Sequence, residues 1–141
     1  RLTQFGQWIL YRRMLGLFVF FYASVHLLIY LGLDYQFAWT DIQDDILKHK
    51  YVLVGFLAWL LLIPLALTST NTMIKKLKKR WKSLHQLIYL VAVLAILHFF
   101  WLVKKDLTEP IIYGSILATL LLIRVYYFAK NKQSKKKNNE N

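Results

Sequence analysis

Four long apolar blocks run through the chain, and the third does most to limit its fold. Residues 84–103, LHQLIYLVAVLAILHFFWLV, are apolar apart from His85, Gln86 and His98. About 20 such residues are enough to cross a bilayer core as a helix. Within hydrocarbon the backbone must satisfy its own polar groups, which a helix does and an isolated strand does not. Ionisable side chains are costly there, so each histidine is a candidate functional group. At about 1.5 Å per residue the two rings lie roughly 20 Å apart along the axis, too far to share one metal. On a regular helix they also lie roughly 140° apart around the axis and need not face the same neighbour.

The other blocks cover residues 14–33, 51–67 and 111–129. His26 is the strongly ionisable residue of the first. Pro64 stands near the end of the second, where a proline kinks or ends a helix. Pro110 opens the fourth, and Arg124 near its last turn can snorkel. Between the first two blocks lies an acidic loop with Asp34, Asp41, Asp44 and Asp45, in which Thr40 begins a turn it is expected to cap. Residues 73–82 are basic and amphipathic in pattern. With 57% hydrophobic residues and a mean hydropathy of +0.38, the chain reads as an all-α integral membrane helical bundle of four transmembrane helices. Residues 1–129 form the membrane domain, and the polar, basic residues 130–141 are expected to be a disordered tail.

Charge sets the orientation. Residues 1–13, 73–82 and 130–141 carry 3, 6 and 5 Lys or Arg, whereas loops 34–50 and 104–109 carry 2 each. By the positive-inside rule both termini are cytoplasmic. The net charge of +12 therefore reads as topology and contact with anionic membrane lipid. No nucleic-acid-binding module is visible, so nucleic acid is excluded as a partner. The absence of cysteine excludes iron–sulfur clusters, disulfides and covalent haem attachment through a CxxCH motif. The chain begins at Arg1 with no visible signal peptide, and upstream sequence is expected to be missing.

Depth now separates the histidines. His26 lies about 18 Å above Met14, and His98 about 21 Å above Leu84. On two helices rising from the same side, they share a level in the outer half of the bilayer. Two imidazoles at equal depth suit bis-histidine ligation of a haem, which takes axial ligands on opposite faces. The alternative is a pair of buried histidines bonded to backbone or to each other. His85 lies near the inner surface, where its level on the first span falls at Arg13 or Met14. Met14 reads as apolar rather than as a thioether ligand, and Arg12, Arg13 and Arg80 could meet haem propionates or simply set topology. His49, between Lys48 and Lys50, reads as solvated. Trp81, Tyr89, Phe99, Phe100 and Trp101 cluster about the histidines, where they could line a porphyrin or form interfacial belts.

The segments RRMLGLFVFFYASVH (12–26), DILKHKYVLVG (45–55), PLALTST (64–70), RWKSLHQLIYLVAVLAILHFFW (80–101) and EPIIYG (109–114) carry a specific likeness. Together they resemble the haem-binding membrane subunits of bacterial periplasmic methionine sulfoxide reductase systems, within the ferric reductase-like transmembrane family. The resemblance covers nearly all of the chain except the tail. It implies a multi-pass protein of the bacterial inner membrane binding haem b, one or two per chain, and FMN. It implies electron transfer from the quinone pool or a cytosolic flavin reductase to a periplasmic molybdopterin catalytic subunit. It places the haem ligands at His26, His85 and His98, assigns no catalytic residue to this chain and leaves the FMN site unassigned. Relatives usually carry hydrophobic sequence before the Arg-Arg-x-Leu-Gly-Leu motif, absent here, and arginine where this chain has His49.

Two other classes compete. A self-contained ferric or superoxide-type reductase needs a nucleotide-binding loop, and the five glycines are scattered singly. A small transporter would use its histidines for protons or metal ions.

Overall fold

The computed structural model describes residues 4–139, with side chains described for residues 10–130. The chain forms two compact units, Arg1–Leu102 and Val103–Asn141. In the first, α1 (Gln4–Ile29) widens into a π-helical turn at Tyr30–Asp34. It is followed by α2 (Trp39–Lys48), α3 (Lys50–Leu67), α4 (Asn71–Leu77), α5 (Lys79–Leu84) and α6 (Leu87–Leu102). The second unit holds α7 (Thr108–Asn139). Among the described residues four stretches are long and apolar enough to cross a membrane: Leu10–Asp34, Lys50–Leu67, Lys79–Leu102 and Thr108–Lys130. The protein is an all-α, multi-pass membrane protein.

The packing is that of spans with apolar outer faces. Ala58, Leu62 and Leu65 are buried at helical spacing along one face of α3, and Val91 of α6 is buried too. α3 is the element on which α1, α2 and α6 all pack. Around it, Leu15, Phe18, Phe21, Tyr22 and Leu28 stand exposed. So large an apolar surface would aggregate in water but is the ordinary outer face of a span.

Local chemistry decides where the elements end. Pro64 does not stop α3 where it stands; the helix runs one turn further to Leu67. Thr68 closes that turn, donating both its N–H (3.1 Å) and its hydroxyl (2.6 Å) to the Pro64 carbonyl. Ser69 Oγ donates to the Leu65 carbonyl at 2.7 Å. Thr70 then caps α4, its hydroxyl accepting from Met73 N–H at 3.3 Å. Thr40 does not cap α2. The chain reverses through positive φ at Gln36 and Phe37, so Ala38 takes the cap position and Thr40 falls inside the first turn.

Two further departures follow from hydrogen bonding. The third span is not one regular helix: α5 ends at Leu84 and α6 begins at Leu87, with His85 and Gln86 between them. Gln86 N–H bonds Ser83 O, and Tyr89 N–H bonds Gln86 O, both at 3.1 Å, which is the tighter i→i−3 pattern. At the other end of the chain, α7 does not stop at the apolar boundary. Its backbone stays helical to Asn139, through most of the stretch read from composition as a disordered tail. The lysines and Gln133 there are good helix formers, so composition alone did not require a coil.

Candidate haem-ligating sites at the two ends of α3

His26 lies late in α1 and is exposed, although it sits well inside an apolar span. An imidazole facing hydrocarbon calls for a partner. That partner is at the same level: the His26 and His98 ring centres are 6.3 Å apart, their planes at 77°. His98 Nδ1 is 2.8 Å from the carbonyl oxygen of Tyr51, in the first turn of α3. A carbonyl can only accept, so His98 carries its proton on Nδ1 and leaves Nε2 as a bare donor of electrons. Histidines that bind metals almost always hold their second nitrogen this way.

The spacing fits an iron between the rings. Metal–imidazole bonds of about 2.0–2.1 Å on each side set the ring centres roughly 6–6.5 Å apart. Near-perpendicular planes are no obstacle, because each ring is free to turn about its own bond to an axial metal. Among the described residues no three His, Asp or Glu side chains converge on one point; His26 and His98 meet as a pair and could hold a metal group only from its two sides.

His85 repeats the arrangement at the far end of α3. Its Nδ1 is 3.1 Å from the Trp81 carbonyl, which again fixes the proton there. Nε2 has Ser69 Oγ at 3.5 Å, at the limit of a hydrogen bond, while that hydroxyl already donates to Leu65. Trp81 stacks on the ring with centres 3.9 Å apart and gives its indole N–H to the Thr68 carbonyl at 2.8 Å. Arg13 of α1 reaches the same place, donating to the Ser69 carbonyl and, at 2.6 Å, to Asn71 Oδ1. The depth at which Arg13 faces His85 is therefore as the sequence suggests, but Arg13 is committed to the α3–α4 corner.

Both α6-span histidines thus face α3, one at each end. The tightened turn at His85–Gln86 departs from the regular helix to which a phase of roughly 140° applies. Each residue wound at 3.0 per turn advances about 120° rather than 100°, and a few of them bring the rings toward one side. Midway between the sites, Trp59 of α3 donates to Ser24 Oγ of α1 at 3.0 Å and stacks between Phe20 and Phe56. Phe100 and Trp101, candidates for lining a site, are exposed.

Beyond the His98 end, the loop closes on one carboxylate. Asp45 accepts from Tyr30 Oη at 2.7 Å and pairs with His49 Nδ1 at 2.6 Å. His49 is thus hydrogen-bonded to Asp45 rather than merely solvated, and its ring lies 5.4 Å from that of Tyr51. Burial would raise the Asp45 carboxyl, but hydrogen bonds from Tyr30, Tyr35 and His49 outweigh it and hold it below the usual range. The Tyr35 hydroxyl is pushed up by desolvation and by the Asp45 carboxylate beside it.

Sequence reasoning located the three histidines and missed what orients them. The Tyr51 carbonyl, Ser69 and the Trp81 stack have no signature of their own; only the pairing of helices reveals them.

Comparison with known proteins identifies the family. A family described as "Ferric reductase like transmembrane component" matches residues 1–96. The chain is 58% identical over 116 residues to a relative from Xanthomonas euvesicatoria pv. vesicatoria, covering 82% of this chain and 53% of that protein. It is 49% identical over 138 residues to one from Herminiimonas arsenicoxydans, covering 96% of this chain and 63% of that protein. Each is named "Protein-methionine-sulfoxide reductase heme-binding subunit MsrQ". The chain spans a little over half the length of the first of these relatives. No solved structure matches it. With residues 1–96 matched by one family and relatives at 49–58% identity over most of its length, the chain belongs to the ferric reductase-like transmembrane component family.

Proposed function

We propose that this chain is a haem b electron-transfer subunit that serves a periplasmic methionine sulfoxide reductase from the bacterial inner membrane. The observation that carries the reading is the His26–His98 pair, 6.3 Å between ring centres, with His98 Nδ1 held on the Tyr51 carbonyl. The names of the relatives point the same way. When bound, haem supplies one-electron carriage at a potential set by its ligands and surroundings. His26 and His98 would hold haem between their rings at the end facing the periplasm. His85 would hold haem at the cytoplasmic end, with Trp81 against its ring. Exposed apolar side chains on the spans keep the protein in lipid and keep the ligands at fixed depth. Electrons enter from the quinone pool or a cytosolic flavin reductase and leave to a molybdopterin-containing catalytic partner that repairs oxidised periplasmic proteins. One or two haems and FMN belong to the same proposal; no described residue is assigned to FMN. Both termini lie in the cytoplasm, as the distribution of Lys and Arg directs.

The test is a pyridine haemochrome assay on protein expressed with haem supplementation. His26→Ala and His98→Ala should each lose the haem of the His26–His98 site. Full haem content in both variants would sink the pairing, and a colourless wild-type protein would sink the function.

A further inference from the structure

We propose that Gly55 is the positioning residue of the His98 site: its missing side chain lets the imidazole rest on the backbone of α3. The proposal rests on reading His98 as an axial ligand. Gly55 lies one turn beyond Tyr51, so both are on the same face of α3. A Cβ at Gly55 would sit 2.6 Å from His98 Nδ1, 2.8 Å from Cε1 and 3.3 Å from Cγ. The first two separations are closer than any Cβ approaches another heavy atom, and all three atoms belong to one rigid ring. The ring cannot swing aside and keep Nδ1 at 2.8 Å from the Tyr51 carbonyl.

Neither backbone conformation nor helix propensity accounts for a glycine at this point of α3. None of the described glycines has positive φ, so Gly55 is not serving a turn. In a helix interior glycine is less favourable than alanine, so its presence calls for a reason of space. Gly16 on α1 has nothing within 4 Å of a Cβ, and Gly32 meets the Phe37 ring at an ordinary 3.4 Å. Of these three glycines, Gly55 alone is crowded, and the crowding group is the His98 ring.

The consequence concerns ligand strength. A ring N–H donated to a carbonyl makes the opposite nitrogen a more basic ligand and fixes its tautomer. An electron-rich axial ligand favours the oxidised metal. Gly55 therefore acts through His98 on haem affinity and midpoint potential without touching the haem iron itself.

Gly55→Ala in the full chain, purified from membranes, tests this. Haem affinity should fall about 10–100-fold, the usual cost of losing such a supporting contact. The midpoint potential should move positive and the low-spin ferric EPR signal should change, while Gly16→Ala leaves all three unchanged. Wild-type affinity, potential and EPR signal in Gly55→Ala would overturn the assignment. His98→Ala keeps the two ideas apart: loss of this haem in His98→Ala together with a silent Gly55→Ala defeats only the positioning role. Retention of this haem with an unaltered spectrum in His98→Ala defeats the ligand reading instead. If Gly55→Ala alone does not accumulate, the double variant decides. In the His98→Ala background the clash is gone, so adding Gly55→Ala should not lower the yield of folded protein. A further loss of yield there would show that Gly55 answers to something other than His98.

Discussion

At the scale of single residues, His85 and His98 meet one requirement in two ways. Each gives Nδ1–H to a carbonyl and keeps Nε2 available, but His98 takes the carbonyl of another helix and His85 that of its own preceding turn. His85 is steadied instead by the Trp81 stack, which in turn hangs from the Thr68 carbonyl. The corner behind it depends on Arg13, whose guanidinium donates to Ser69 O and Asn71 Oδ1. Arg13→Ala should destabilise the protein by about 1–3 kcal/mol, read as a lower unfolding temperature in detergent. Arg13→Lys should recover only part of this, because an ammonium cannot reproduce the fork of a guanidinium. An unchanged unfolding temperature in Arg13→Ala would show that the corner holds without it. The histidines were legible in the sequence because an ionisable group in an apolar run is conspicuous. Gly55 was not, because an isolated glycine in a span reveals its use only when the neighbouring ring is in place.

Elements were legible to the degree that hydrophobic length determines them. The four spans follow from apolar runs bounded by charge, whereas α2 and the break at His85–Gln86 depend on local hydrogen bonds that no run length records. The loop holding α2 is built around the Asp45 carboxylate, which joins Tyr30, Tyr35 and His49. A carboxyl lowered by folding contributes stability that is fully present above its unfolded value of about 3.9 and lost as pH falls through the folded value. Hydrogen exchange in residues 30–49 should therefore stay slow from neutral pH down to about 4, after correction for the intrinsic rate, and quicken below it. Asp45→Asn should remove that acid step. An acid step that persists in the variant would place its origin elsewhere. Asp106 is lowered similarly by hydrogen bonds from Thr108 at the start of α7, and belongs to the second unit.

For the molecule as a whole, charge and depth make a prediction of topology. Alkaline phosphatase fused within the 104–109 loop should be active, and a fusion after Asn141 inactive, with the reverse for a cytoplasmic fluorescent reporter. Activity of the phosphatase at the C-terminus would invert the orientation and exchange the faces assigned to His85 and His98. The arrangement of α3 carries a further consequence, for changes of length rather than of residue. Tyr51 and Ser69, the α3-side contacts of the two histidines, are 18 residues apart. Ser69 stands on the corner just past the end of α3 at Leu67, so the winding of α3 sets where that corner lies relative to Tyr51. Deleting one residue between them would swing one contact about 100° away from its histidine while shortening the span by only about 1.5 Å. Lipid would tolerate that shortening easily. The two sites would not, so the length of α3 is held by rotational phase more strictly than by the thickness of the membrane.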